Sequence, residues 1–217
     1  MRMLLACLLL CSWYVVAQSQ REPANPSAAS TAARRAQLLH RGVNASMWFA
    51  QAREYSPERL RSYTTADDIA LMHSMGFDHV RLSIDGDELL RGAPPNGLNA
   101  AFVAELDTAV NTMLKDGLRV IVDVHPSDQF KVQLRTDDAA VARFCALWSA
   151  LAGHYAQTDP ERVFFEVLNE PEFADAQQWN AVQTRAIAAI RKGAPHRYCD
   201  GRPLLRPYRP ACFRAGG

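Results

Sequence analysis

The chain has 217 residues, of which 48% are hydrophobic, and it carries a formal net charge of +1. This length exceeds one small domain and falls short of two comfortable ones, and the apolar fraction is ordinary for a globular protein. The basic residues are scattered along most of the chain, so we expect no nucleic-acid partner, which would require a concentrated basic face.

The N-terminal residues have the pattern of an export signal. Arg2 precedes a short apolar core that ends at Val16, and small residues lead to a cleavage site near Gln18. The apolar run is too short for a good membrane span. We therefore predict a signal peptide at 1–17, a disordered leader at 18–39 and a secreted or periplasmic protein.

The cysteines do not form a framework, although export implies an oxidising compartment. Cys7 and Cys11 lie in the predicted signal peptide, and Cys199 and Cys212 lie near the C-terminus. Cys145 falls in a helical pattern, where a small buried apolar role is expected. Because no pair has zinc-ligand spacing, we predict neither a metal nor another cofactor.

Strand and helix signals alternate from Arg41 onward. A short strand is predicted at Arg41–Ala45, followed by a loop that carries Trp48 and Phe49. Hydroxyl and acidic residues around Thr65 are typical of a helix start. This helix is predicted to end at Gly76, because glycine readily adopts the left-handed conformation that closes helices.

The same alternation continues through the middle of the chain. His79–Ile84 alternates between apolar and polar residues and predicts a strand. Asn99 begins a second helix, which ends at Gly117. Leu118–Pro126 is rich in β-branched residues and predicts another strand, and Val141–Tyr155 carries the apolar spacing of a third helix.

The fourth unit begins with a nearly continuous apolar run at Val163–Leu168, interrupted only by Glu166. This density is typical of a parallel strand covered on both faces, and Pro171 ends it because proline has no N–H to donate. A fourth helix is predicted from about Asp175 to Gly193. Four alternations predict an α/β fold with a parallel sheet and right-handed crossovers.

A complete (β/α)8 barrel needs about 250 residues. The four units therefore predict a partial TIM (β/α)8 barrel, a half-barrel domain at 40–193. The segment 194–217 is rich in arginine and proline, and proline at this frequency is incompatible with central strands and helix interiors. We predict an irregular, unpacked tail, and a shifted reading frame after about His196 would explain the abrupt change in composition.

Four motifs occur in order on consecutive predicted strands: Arg41–Asn44, Val80–Leu82, Asp123–Pro126 and Glu166–Pro171. In this combination the chain resembles glycoside hydrolase family 5, the cellulase-type (β/α)8 barrels, from about Arg41 to Lys192. The most specific motif is the Asn-Glu-Pro strand end, since α/β barrels place their chemistry at the carboxyl ends of their strands.

The resemblance implies a retaining glycosidase that hydrolyses β-linked polysaccharide such as cellulose, β-glucan or mannan. Glu170 would be the general acid/base, which protonates the glycosidic oxygen and later activates water. Such an acid needs burial or a neighbouring negative charge to keep its proton near neutral pH. Asn169 would bind the sugar 2-hydroxyl, His125 would line the subsite beside the cleaved bond, and Arg81 would orient the nucleophilic carboxylate.

Several of these residues have alternative interpretations. Arg81 would otherwise be a surface cation. His125 would otherwise have a structural role only, capping its strand through a contact with Asp123. Strand alternation predicts that Asp123 and His125 point to the same side of their strand, and that Glu166 and Glu170 point to the same side of theirs. Trp48 and Trp179 are candidates for stacking on sugar rings. The helical spacing of Trp179 favours a core position instead.

The family's nucleophile is a glutamate at the end of the seventh strand, and no glutamate follows Glu172 in this chain. A retaining mechanism needs two carboxylates about 5–5.5 Å apart. We therefore expect the N-terminal half of an exported hydrolase, with little activity alone and with open sheet edges that permit self-association. The alternatives are a non-catalytic glycan binder and a metal-dependent hydrolase built on Asp123 and His125.

Overall fold

The computed structural model describes residues 31–92 and 97–195. The predicted signal peptide, the leader up to residue 30 and the tail from residue 196 lie outside these ranges. Within them, no helix combines the length and apolarity that crossing a bilayer requires.

Four parallel strands form one sheet in the order β1-β2-β3-β4. They are β1 (Gly42–Phe49), β2 (His79–Ile84), β3 (Arg119–Val124) and β4 (Val163–Glu166). The register places Leu82 beside Val122, and Val122 beside Phe165. The predicted α/β alternation and partial barrel are confirmed.

Helices connect and flank the strands. They are α1 (Thr31–Ala36), α2 (Pro57–Tyr63), α3 (Ala66–Ser74), α4 (Gly86–Leu90), α5 (Ala100–Lys115), α6 (Asp128–Thr136), α7 (Asp138–His154) and α8 (Ala176–Gly193).

The predicted helix boundaries at capping residues are confirmed. Thr65 and Asp68 form a reciprocal capping box at the start of α3. The side chain of Asn99 accepts a hydrogen bond at the start of α5, and that of Asp175 does the same for α8. Gly117 follows α5 with a φ of 96°, a conformation that a residue with a Cβ adopts at a cost.

The two faces of the sheet differ in chemistry. Alternate apolar residues of β2 and β3 are fully buried in the hydrophobic core: Val80, Leu82, Val120 and Val122. The intervening positions carry Arg81, Ser83 and Asp123, which strand alternation directs to the opposite face, the inner face of the partial barrel. Ser83 and Asp123 are also fully buried, so polar contacts must hold this face in place.

Trp48 and Phe49 lie in β1, so their assignment to a loop was wrong. The strand is irregular between Ala45 and Phe49, and Met47 has a φ of 61°. This irregularity lets two consecutive residues enter the core, which regular alternation forbids. The indole Nε1 of Trp48 donates to the carbonyl of Leu60 at 2.7 Å. With 3% of its surface exposed, Trp48 is a core residue, and its proposed stacking on sugar was also wrong.

Other boundaries differ from the predictions in smaller ways. β4 ends at Glu166 rather than Leu168. The short helices α2, α4 and α6 were not predicted, because each buries too few residues for a periodic stripe. The end of the predicted leader forms α1, and Ala194 is buried, so the packed region passes the predicted boundary at Gly193.

Two half-buried residues match their predicted environments. Cys145 packs against the hydrophobic core and is a free thiol. Trp179 also packs against the core, with its ring 5.3 Å from that of Phe173, as its helical spacing predicted.

Candidate functional site

Arg81 lies on the inner face of the sheet and reaches across β3 to a carboxylate on β4. Its Nε and Nη2 atoms each donate to one oxygen of Glu166 at 2.7 Å. Glu166 stands beside Asp123 in the register, and Asp123 stands beside Ser83 on β2. The long arginine side chain therefore spans one intervening strand to form a two-point ion pair.

Asp123 is a second carboxylate on the same guanidinium, with its Oδ2 atom 2.9 Å from Arg81 Nη2. Burial raises the pKa of Asp123, and the charge of Glu166 adds to this rise, whereas the hydrogen bond from His125 and the charge of Arg81 oppose it. Its Oδ1 atom is buried without a hydrogen-bond partner among the described residues. The guanidinium of Arg81 thus forms ion pairs with both Glu166 and Asp123.

The remaining N–H groups of Arg81 are also used. Nη1 donates to Asn44 Oδ1 at 3.1 Å and to Ser83 Oγ at 3.4 Å, and Nη2 donates to Asn169 Oδ1 at 3.0 Å. Hydrogen bonding to Glu166 raises the pKa of Arg81. With 24% of its side chain exposed, Arg81 is not a surface cation, so that alternative was wrong.

Asn169 and His125 extend the network from Arg81 to the rim of the sheet. Asn169 Nδ2 lies 3.2 Å from His125 Nε2, and His125 Nδ1 lies 3.2 Å from Asp123 Oδ2. An amide nitrogen only donates, so Nε2 accepts and Nδ1 carries the proton that goes to Asp123. The predicted shared face of Asp123 and His125 is confirmed. The second N–H of Asn169 Nδ2 has no hydrogen-bond partner among the described residues.

Glu170 follows Asn169 in an unusual conformation. Its φ is 45°, in the left-handed region that disfavours residues with a Cβ. Its side chain is 76% exposed, and its Oε2 lies 3.8 Å from Lys131 Nζ. Because β4 ends at Glu166, strand alternation does not extend to Glu170. Glu166 contacts Arg81 and Glu170 contacts Lys131, and the shared face of the two acids stays a prediction.

Three further charged residues at this rim were missed by sequence reasoning. Lys131 and Arg135 on α6 both contact Glu172, two positions after Glu170. The signal was present: Ser127 caps α6 through the amide of Phe130, and a capping residue before an apolar repeat marks a helix start. The repeat is short, and a lysine inside it gives no sign of burial.

A separate cleft of about 530 Å³ opens at the carboxyl ends of β1 and β2. Its lining includes Tyr55 and Asp85, which are joined by a hydrogen bond of 2.9 Å from the tyrosine hydroxyl. Burial raises the pKa of Tyr55, and the charge of Asp85 raises it further. Glu170 does not line this cleft.

Asp123 and His125, the residues considered for a metal site, are hydrogen-bonded to each other. Asp123 Oδ2 contacts both His125 and Arg81. In the described ranges, no group of three or more His, Cys, Asp or Glu side chains is arranged to hold a metal ion. Nothing in this geometry favours a metal-dependent reaction.

Comparison with known proteins identifies similar sequences. Residues 39–199 match the family described as Cellulase (glycosyl hydrolase family 5). Cellodextrinase A of Ruminococcus flavefaciens is 31% identical over 163 residues, which cover 71% of this chain and 47% of that protein. Endoglucanase C of Acetivibrio thermocellus is 28% identical over 162 residues, covering 70% of this chain and 46% of that protein.

Solved structures show the same relationship. Endoglucanase Cel5A from Thermotoga maritima superposes with a TM-score of 0.64 at 26% identity, covering 74% of this chain and 50% of that one. That enzyme has been solved in complex with cellobiose and with mannotriose. The chain spans about half the length of the relatives it matches.

Proposed function

Because the chain belongs to the cellulase family, glycosyl hydrolase family 5, we propose that it contributes the acid/base half of a site that hydrolyses β-linked glycans. Glu170 is the proton donor, and Asn169 binds the sugar 2-hydroxyl. His125 lines the subsite beside the cleaved bond, and Arg81 organises the charges of the inner face.

One observation carries this proposal. Asn169 is held from both sides, by Arg81 at 3.0 Å and by His125 at 3.2 Å, and the acid that follows it is exposed. A polar side chain with fixed orientation beside an accessible carboxylate is what recognition of a sugar and proton transfer to its glycosidic oxygen require.

The substrate class follows from chemistry and from relatives. Cellobiose and mannotriose are both bound by Cel5A of Thermotoga maritima. Both are short β-linked sugars, so we propose β-1,4-glucan or mannan as the ligand of this chain. Hydroxyl-rich sugars suit a face of amide, imidazole and carboxylate groups, because each of these can exchange hydrogen bonds with a hydroxyl.

The chemistry needs a second carboxylate. No glutamate follows Glu172, and Glu166 and Asp123 are both paired with Arg81. A retaining mechanism has no nucleophile in this set. We therefore propose that the 217-residue chain binds glycan and has little hydrolytic activity alone.

Azide can test the role of Glu170, because a small anion can take the place of the absent nucleophile. A terminal azide nitrogen bonds to the anomeric carbon, the bond to the glycosidic oxygen breaks, and Glu170 gives its proton to that oxygen. We expect incubation with cellotetraose and azide to yield a glycosyl azide, detected by mass spectrometry. Glu170→Gln keeps the shape of the side chain but removes its carboxyl proton, and it should abolish formation of the glycosyl azide.

The outcomes separate the candidate functions. Glycan binding with an azide product that depends on Glu170 supports a hydrolase. Glycan binding without that product favours a non-catalytic binder, and the absence of binding to both cellotetraose and mannotriose refutes the proposal. Arg34→Met is a matched surface control, since Arg34 pairs with Glu161 away from this face.

Export and self-association are further parts of the proposal. The signal-like sequence before Gln18 supports export, and N-terminal sequencing of secreted protein should then begin near that residue. In the described sheet, β1 and β4 each pair with one neighbour. We propose that two copies associate through these edges, which light scattering would detect as twice the monomer mass.

A further inference from the structure

Helix α6 presents two cations to the turn that carries Glu170. Lys131 and Arg135 are four residues apart, so they lie on one helix face. Arg135 Nη1 donates to the backbone carbonyl of Glu172 at 2.5 Å, and Lys131 Nζ donates to Glu172 Oε1 at 3.1 Å. Both the backbone and the side chain of this turn are therefore held by α6.

Lys131 contacts two acids with one ammonium. Its Nζ atom lies 3.1 Å from Glu172 Oε1 and 3.8 Å from Glu170 Oε2. The side chain of Lys131 is only 7% exposed, whereas those of Glu170 and Glu172 are 76% and 57% exposed. A buried ammonium has lost most of its hydration and depends on these two carboxylates for compensation.

The turn itself is conformationally demanding. Glu170 has a φ of 45° and precedes Pro171, and a left-handed residue with a Cβ persists only where its surroundings impose it. The contacts from α6 to Glu172 supply that constraint on the C-terminal side. On the N-terminal side, Asn169 is fixed by its bonds to Arg81 and His125.

The charged groups near Glu170 lie on three elements. Lys131 and Arg135 lie on α6, and Glu172 lies on the turn itself. Arg81 on β2 interacts with Glu170 through charge. Two carboxylates surround Arg81 and offset its charge: Asp123 and Glu166.

We propose that Lys131 is a positioning residue for Glu170, and that Glu172 limits the charge that Lys131 exerts on it. This inference rests on the proposed role of Glu170 as the general acid/base. A cation alone would hold Glu170 as a carboxylate and weaken it as a proton donor. By sharing Lys131, Glu172 keeps the geometry that the lysine imposes while offsetting part of its charge.

Two neutralising substitutions test the proposal because they have opposite expected signs. With glutamate ¹³C-labelled at the side-chain carboxyl, NMR follows the ionisation of Glu170, whose signal is assigned with Glu170→Gln. Glu172→Gln is expected to move the titration midpoint to lower pH, and Lys131→Met to higher pH.

Matched variants separate charge from structure. Lys131→Arg keeps the cation and should restore the wild-type midpoint. Arg135→Met should speed amide hydrogen exchange in the 169–173 turn while moving the midpoint less than Lys131→Met. Glu161→Gln removes a surface carboxylate paired with Arg34. It should change neither the titration midpoint of Glu170 nor the hydrogen exchange of the 169–173 turn.

Shifts in the same direction for Lys131→Met and Glu172→Gln would overturn the proposal, as would shifts no larger than that of Glu161→Gln. The measurement needs no glycan, so its failure is distinct from failure of the proposed function. Opposite shifts without an azide product would refute the acid/base role of Glu170 and leave its electrostatic control by Lys131 standing.

Discussion

Arg81 and Glu166 are 85 residues apart in the chain and are joined by two hydrogen bonds of 2.7 Å each. The pair links β2 to β4 across the intervening strand, and Asp123 on that strand adds a third charge. These inward-facing charges therefore satisfy one another, which reduces the cost of burying them.

Loss of this pair should destabilise the fold. Arg81→Met leaves two carboxylates on the inner face without their cation, and breaking a buried pair costs about 3–5 kcal/mol. Because a third of the Glu166 side chain is exposed, we expect about 3 kcal/mol from urea unfolding. Glu166→Gln in the same background should recover part of this loss, and the double-mutant cycle measures the coupling.

The control is Arg34→Met, which removes a surface pair with Glu161 and should cost less than about 1 kcal/mol. Equal losses for Arg34→Met and Arg81→Met would contradict the importance of the Arg81–Glu166 pair.

Asp123 should make stability fall as pH rises. Burial raises its pKa in the folded protein above an unfolded value of about 3.9. The folded state therefore binds the proton more tightly, and its advantage is lost between the unfolded and the folded pKa. Asparagine does not titrate, so the stability of Asp123→Asn lacks this pH dependence. The unfolding free energy of the variant minus that of the wild type should therefore increase as pH rises between the two pKa values. A difference independent of pH would refute the effect.

Asn169→Asp tests the hydrogen-bond donor left for the sugar. The substitution keeps the shape and adds a carboxylate beside Arg81, but it removes the N–H groups that face His125 and the ligand. We expect affinity for cellotetraose to fall about tenfold, equivalent to about 1.4 kcal/mol. Urea unfolding should show the fold retained, so a loss of binding can be assigned to recognition. Undiminished affinity would exclude Asn169 as a sugar ligand.

Trp48→Phe tests whether this tryptophan is structural. The variant loses the hydrogen bond from the indole to the carbonyl of Leu60, and an unsatisfied buried carbonyl costs about 1–3 kcal/mol. Thermal or urea unfolding should show this loss, while cellotetraose affinity in isothermal titration stays at the wild-type value. A weakened affinity with unchanged stability would place Trp48 in the glycan site instead.

The order of elements could be predicted because its signals are local. Capping side chains such as Thr65 and Asn99 act within three residues of their targets, and apolar periodicity reports each element separately. The same holds for β2, which carries Arg81, and for β3, which His125 follows. Short or irregular elements give weak periodic signals. This is why α6 was missed despite its cap at Ser127, and why the core position of Trp48 was assigned to a loop.

The sequence by itself determined four βα units, with Arg81 on one parallel strand and with His125, Asn169 and Glu170 following two others. Only the tertiary structure decided their partners: Glu166 for Arg81, and Lys131 for Glu170. The physical reason is that backbone preferences act over a few residues. Ion pairs depend instead on strand register, side-chain reach and burial, which exist only after distant segments have packed together.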